Sequence, residues 1–268
     1  MVASEDTSSA APDLAASLTY ARRAVPIEAL LPFRRPGPSS AVRVRLVCLP
    51  FAGGNAATYR GWREKLPADV ELCAVELAGR GGRFRERPVD DPDAVVKELV
   101  DGLASLHDRP VVVFGHSLGA HLGFALARRE PRIRMLVASG AAAPHSPVRT
   151  RFADLPRAAL VAELAKMGGT PPEVLADEEL LDLVLPMLRA DFRLAEVLRA
   201  PQQAPITSPI TVIAARDDDG VTIDEARGWK DHTTGAFRFV ETDGGHFFVT
   251  SRRETVIAEV VRALDEIR

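Results

Sequence analysis

Beyond an opening stretch without periodicity, the chain alternates short, continuously apolar runs with longer segments whose apolar residues recur at helical spacing. The runs Val44–Leu49, Val70–Val75, Val111–Phe114, Met135–Ser139, Ile210–Ala214 and Phe237–Val240 are four to six residues long and rich in Val, Leu and Ile. Such runs, continuous rather than alternating, suit parallel strands covered on both faces. Between them, Ala56–Lys65, Pro92–Leu106, Ala120–Arg129, Thr222–Lys230 and Glu254–Ile267 carry the helical period. Strands alternating with helices predict an α/β protein with a mostly parallel, doubly wound central sheet and helices on both faces.

One interval breaks the alternation. From Pro144 to Pro209 no strand pattern occurs, and Leu155–Lys166, Pro172–Leu175 and Glu178–Arg199 read as helices punctuated by Gly168-Gly169 and Pro171-Pro172. This predicts a helical insertion over about 145–205, between two sheet strands. Its leucines, with Met167 and Met187, are read as packing among these helices in preference to lining an acyl tunnel. Residues 1–42, rich in Ser, Ala and Pro and closed by Pro36-Gly37-Pro38-Ser39-Ser40, predict a flexible leader ahead of a single body over 43–268. Within the leader, Leu14–Arg23 reads as a frayed tail rather than a short helix.

Composition narrows the function classes. A hydrophobic share of 46% and a charged share of 26% describe a globular chain, neither disordered nor a disulfide scaffold. Lys and Arg number 34 against 37 Asp and Glu, so no basic field exists to hold a phosphate backbone, and nucleic acid is not an expected partner. No apolar run approaches the roughly 18 residues of a membrane span, so no membrane association is expected. Glu5 and Asp6 stand where a signal peptide needs positive charge. Cys48 and Cys73 both fall inside apolar runs and read as reduced core thiols, which points to the cytoplasm.

The strongest chemical signal is Gly115-His116-Ser117-Leu118-Gly119, placed after a predicted strand and before a predicted helix. This is the context a Gly-x-Ser-x-Gly nucleophile elbow requires. A strand that turns sharply into a helix strains the backbone at Ser117 and leaves no room for side chains at the flanking glycines. It also aims helix N-terminal amides at the space where an oxyanion would develop. A phosphate-binding turn would need the Lys of a phosphate loop or the third Gly of a dinucleotide loop, and neither is here.

A serine hydroxyl needs a base, and the base an orienting acid. Of the six histidines, His246 in Gly244-Gly245-His246-Phe247-Phe248 follows the last strand and precedes the C-terminal helix, returning a loop to the carboxyl edge of the sheet. His107, His116, His121, His145 and His232 fit less well. Arg216-Asp217-Asp218-Asp219-Gly220 follows the strand Ile210–Ala214 at the same edge, and spacing alone does not choose among the three aspartates. The resulting order Ser, Asp, His is that of an α/β-hydrolase fold. One oxyanion donor is expected from the amide of Leu118 and a second from the loop Pro50-Phe51-Ala52-Gly53-Gly54.

Leu49–Gly54, Arg60-Gly61-Trp62, Leu77-Ala78-Gly79-Arg80-Gly81, Gly115–Ala120, Gly168-Gly169-Thr170-Pro171, Leu188-Arg189-Ala190-Asp191-Phe192 and Gly244–Phe248 occur in this order. Together they resemble the type II thioesterases, stand-alone editing hydrolases that accompany polyketide synthases and non-ribosomal peptide synthetases. The resemblance runs from Val44 to the C-terminus. It implies hydrolysis of acyl groups from the phosphopantetheine thiol of an acyl or peptidyl carrier protein, with no cofactor and no metal. It further implies Ser117 as nucleophile, His246 as base, Asp218 as acid and the amides of Ala52 and Leu118 as oxyanion donors, with the insertion as a lid. Asn55, Leu118 and Asp219 depart from the commoner Ser, Met and Pro of the family, and the last of these departures leaves Asp217 and Asp219 open as acids. His121 is unusual and has no account in the sequence. Carrier proteins are typically acidic, so Arg80, Arg83, Arg85 and Arg87, with Arg149 and Arg151, form a candidate docking rim whose plainer reading is a solvated loop. The same triad would serve a general esterase or acyltransferase, or persist in an idle carrier-binding module.

Overall fold

The computed structural model describes residues 25–35, 41–200 and 202–267. Strands β1 (Val44–Leu49), β2 (Val70–Ala74), β3 (Val111–His116), β4 (Ile133–Ser139), β5 (Ile210–Ala215) and β6 (Phe237–Thr242) form one sheet in the order β2-β1-β3-β4-β5-β6. Every pairing is parallel. The helices are α1 (Ile27–Leu30), α2 (Pro92–Leu103), α3 (Leu118–Arg129), α4 (Arg157–Met167), α5 (Pro172–Leu175), α6 (Glu178–Val197), α7 (Ile223–Arg227), α8 (Phe248–Ser251) and α9 (Arg253–Asp265). This is the α/β-hydrolase architecture expected, with α4 to α6 inserted between β4 and β5.

The continuous apolar runs are explained by two cores, one on each face of the sheet. Along β3, Val111 and Val113 join Leu99 and Leu103 of α2 and Leu122 of α3. Val112 and Phe114 point the other way, to Tyr59, Trp62 and the Val256–Val260 stripe of α9. The same alternation puts Cys48 in one core and Cys73 in the other, so the sheet itself separates the two thiols, both free and buried. Burial pushes the Cys73 thiol up to about 12, which leaves it without thiolate at neutral pH.

Three boundaries differ from expectation. The segment Ala56–Trp62 winds as a 3-10 helix, since Thr58, Tyr59, Gly61 and Trp62 are all weak α-helix formers. Thr222–Lys230 divides into α7 and a 3-10 turn at Gly228–His232. Within the expected flexible leader, residues 1–24 and 36–40, including Leu14–Arg23, lie outside the described residues, but Leu30 and Leu31 are fully buried members of the main core, so this part is docked and not flexible. Leu30 sits so close to α2 that a Cβ on Gly102 would come within 2.4 Å of it, and its carbonyl accepts the Glu76 amide at 2.8 Å. Two adjacent leucines carry no period, so this docking leaves little trace in the sequence.

β2 and β3 flank β1 on opposite sides, so the winding direction of the sheet reverses between β1 and β3. A crevice opens outside the carboxyl ends of strands at such a reversal. The chain after β1 and the chain after β3 line it, and those are the Pro50–Gly54 loop and the Ser117 elbow. Among the described residues no helix is long and apolar enough to cross a membrane.

Candidate active site

Ser117 is the only described non-glycine residue with positive φ, at φ 53° and ψ −115°. Such a backbone costs on the order of 1–3 kcal/mol and persists only where its surroundings hold it. Its amide donates to the Ser139 carbonyl at 2.8 Å, tying the turn to β4. A Cβ on Gly115 would stand 2.0 Å from the Gly119 carbonyl oxygen, and one on Gly119 would stand 2.3 Å from that of Leu49. Both glycines are therefore required by backbone, which no rotamer change can relieve.

His246 Nε2 lies 3.1 Å from Ser117 Oγ, and His246 Nδ1 lies 2.8 Å from Asp218 Oδ2. The carboxylate only accepts, so Nδ1 carries the proton and Nε2 presents its lone pair to the serine hydroxyl. The other oxygen, Asp218 Oδ1, accepts the amides of Gly220 at 2.9 Å and Val221 at 3.2 Å. Asp217 and Asp219 are exposed, and only Asp218 of the three is buried.

His116, set aside on sequence grounds, supports His246 from behind. It is buried on β3, with Nδ1 3.0 Å from Ser139 Oγ and Nε2 2.9 Å from the His246 carbonyl oxygen. A carbonyl only accepts, so Nε2–H donates to His246 and Nδ1 accepts from the Ser139 hydroxyl. Burial holds the His116 imidazole well below its ordinary pKa. His121 is also buried, its ring 5.7 Å from that of Trp229, and burial lowers its pKa to about 3. His145 Nδ1 lies 2.8 Å from His232 Nε2, so these two rings engage each other.

The neutral, buried state of His116 and His121 makes the fold acid-sensitive. Both bind protons in the unfolded chain below about pH 6.5 but stay neutral when folded, so the unfolded state gains protons first and stability falls as pH drops. For His121 the loss runs from about pH 6.5 down to about 3. Each group contributes at most about 1.4 kcal/mol per pH unit. Urea titrations at pH 7 and pH 5 are expected to show lower stability at pH 5, with a shallower pH dependence for His121→Asn. An unchanged dependence in that variant would contradict a neutral buried His121.

The loop after β1 forms a tight turn in which the Gly54 amide donates to the Phe51 carbonyl at 2.8 Å, with Gly53 at φ +78°. Among the described residues, the amides of Ala52 and of Leu118, the first residue of α3, donate to no protein acceptor. Asn55 caps the 3-10 segment by accepting the Ala57 amide at 3.0 Å, a task a Ser at this position would perform equally well.

Two cavities open onto Ser117 and His246. One, of about 160 Å³, is walled chiefly by Phe51, Leu164, Met167, Met187, Leu188 and Phe192. The other, of about 580 Å³, carries His121, Lys166, Glu196, Arg199, Asp217 and Asp219. The insertion's leucines Leu160, Leu164, Leu181, Leu185 and Leu188 pack into a separate small core. Beyond the packing expected of them, Leu164, Leu188 and both methionines thus also line the cavity that opens onto Ser117. Gly169 belongs to this closure, since a Cβ there would stand 2.1 Å from the Phe247 ring beside His246.

The rim arginines need correction. Arg80 is buried and forms a two-bond ion pair with Asp191, each bond 2.7 Å. Arg83 is buried and bonds Glu98 and Glu86, both at 2.6 Å. Arg85, Arg87 and Arg151 are exposed, and Arg149 pairs with Glu225 at 2.8 Å. Charge density along the chain could not distinguish these cases, because Asp191 is 111 residues from Arg80.

The family model described as Thioesterase domain matches residues 44–264. This chain belongs to that family. As such the thioesterase is a hydrolase acting on thioesters. A probable cadicidin biosynthesis thioesterase of Streptomyces griseus is 37% identical over 235 residues, which are 86% of this chain and 65% of the relative, so the chain spans about two thirds of that protein. RedJ, the thioesterase of the prodiginine biosynthetic pathway of Streptomyces coelicolor, has a solved structure with TM-score 0.78 at 33% identity, covering 85% of this chain and 93% of RedJ. The type II thioesterase BorB from the borrelidin biosynthetic cluster superimposes with TM-score 0.76 at 34% identity, covering 86% and 95% of the two chains. The thioesterase shares the fold of both.

Proposed function

We propose that this thioesterase is an editing enzyme of a polyketide or non-ribosomal peptide assembly line, hydrolysing acyl groups from the phosphopantetheine thiol of a carrier protein. The observation that carries the reading is the continuous line from Asp218 through His246 to Ser117, opening on an apolar cavity. Ser117 Oγ attacks the thioester carbonyl as His246 Nε2 takes its proton. The amides of Ala52 and Leu118 hold the oxyanion, and the thiol leaves with the proton from His246. Water then attacks the acyl-enzyme, again with His246 as base, and releases the acid.

The lining of the cavities supports a division of the substrate: acyl group among the methionines and leucines, pantetheine through the polar opening. A cavity of about 150 Å³ holds a benzene-sized guest, so the apolar cavity of about 160 Å³ suits an acyl chain of about six non-hydrogen atoms. Mass spectrometry of carrier proteins loaded with acyl groups of increasing length tests both points. Loss of short acyl groups, returning the free thiol, is the expected result; acyl-carrier left intact across the panel would overturn the reading.

With Arg80 and Arg83 engaged inside the fold, Arg85 and Arg87 are the members of that cluster open to an acidic carrier protein. Reversing both charges is expected to weaken carrier binding in a salt-dependent way with little change in stability. Arg83→Ala is expected instead to cost about 3 kcal/mol of stability by stripping its carboxylates of their partner. Carrier affinity indifferent to reversal of Arg85 and Arg87 and to salt would remove this face from consideration.

A further inference from the structure

We propose that Asp191 is a positioning residue through which the lid helix α6 sets the oxyanion loop. This rests on the reading of the Ala52 amide as an oxyanion donor. Asp191 is completely buried, although it lies in the inserted helix and not in the body of the fold. Its Oδ2 accepts the Gly53 amide at 2.8 Å and Arg80 Nη1 at 2.7 Å, and its Oδ1 accepts Arg80 Nη2 at 2.7 Å. Arg80 Nη1 also donates to the Gly54 carbonyl at 3.1 Å, so one ion pair grips the turn by an amide on one side and a carbonyl on the other. One turn earlier on α6, Leu188 lies where a Cβ on Gly53 would come within 2.7 Å of it.

The consequence follows from the geometry of the turn. Gly53, at positive φ, is the residue directly after Ala52, so its amide bond fixes the plane of the Ala52 carbonyl and the pitch of the loop. If α6 moves off, Gly53 loses its acceptor and Arg80 is left buried without a counter-charge, so loop and lid settle together. The catalytic amide is then correctly aimed only while the lid is seated. That couples the chemistry to closure over the acyl group.

The test compares Asp191→Asn with Ala52→Pro. Ala52 is the second residue of the turn, a position that favours Pro, and its amide has no protein acceptor to lose, so the substitution deletes the donor and keeps the turn. Rates are measured on an acyl-carrier substrate per active site, counted by fluorophosphonate labelling. Affinity is measured for an alkyl boronic acid, which forms a tetrahedral adduct with a serine hydroxyl. Ala52→Pro is expected to lower kcat about a hundredfold. Asp191→Asn is expected to lower kcat at least tenfold with KM within twofold, and to weaken the boronic acid by the same factor. A merely structural role would reduce the number of active sites and leave kcat per site unchanged. Should Asp191→Asn fail to fold, the paired variant Asp191→Leu with Arg80→Met removes both buried charges and carries the same expectation. Unchanged kcat per site in the Asp191 variants beside a crippled Ala52→Pro overturns this proposal alone. Unchanged kcat in Ala52→Pro overturns the oxyanion reading, and this proposal with it.

Discussion

Substituting Ser117 by Ala is expected to abolish acyl-carrier hydrolysis to within the limit of most assays, a fall in kcat of on the order of 10⁴ to 10⁶. At 1.36 kcal/mol per decade this corresponds to roughly 5–8 kcal/mol of transition-state stabilisation. Only Oγ is removed. The amide bond from residue 117 to the Ser139 carbonyl remains, as do the two glycines that make room for the turn. Ala tolerates the strained φ no worse than Ser, so the thermal midpoint should stay within a few degrees of the parent. Single-turnover mass spectrometry of an acyl-carrier substrate, with thermal unfolding as the control, measures both quantities. Hydrolysis surviving at the parent rate in a folded variant would remove Ser117 from the chemistry.

Asp218→Asn is expected to cost about 10⁴ in kcat, the loss seen when the same change is made in a serine protease triad. The direction can be worked out from this site. Asp218 Oδ1 accepts two backbone amides, from Gly220 and Val221, and those donors will hold the oxygen of an Asn in the same place. Its NH2 group must then face His246 Nδ1, now 2.8 Å from Oδ2. The imidazole answers by accepting at Nδ1 and carrying its proton on Nε2, where it can no longer take the proton of Ser117. Asp217→Asn and Asp219→Asn, at exposed positions, are expected to stay within a few fold of the parent. Steady-state kinetics on the three variants decide which aspartate serves; a collapse at 217 or 219 with 218 unaffected would reassign the acid.

The strand and helix alternation was legible because strands β1 to β5 are largely buried on two sides and so leave apolar runs. The elbow was legible because its pattern is local: Gly115 answers to the backbone of Gly119 within the same turn, although Gly119 answers to the distant Leu49 carbonyl. Contacts made across long sequence separations were much harder to read. Three adjacent aspartates look alike until folding turns one of them inward. Arg80 and Arg83 look like a solvated basic cluster until Asp191 and Glu98 arrive from distant helices. His116 sits in plain view inside the motif, yet its bond to the His246 carbonyl depends on a loop 130 residues away. The docked leucines Leu30 and Leu31 escaped notice because a single buried pair has no period.

The small core of the insertion shares no residue with the two that flank the sheet. Changes inside it, other than at Leu188 that packs on Gly53, can therefore reshape the wall seen by an acyl chain while leaving the sheet and its loops in place. Grafting the 145–205 segment of a relative onto this body, with Leu188, Asp191 and the main-core leucines Leu194 and Leu198 retained as anchors, is a practical route to altered chain preference. Natural divergence within the family would have had the same route open to it.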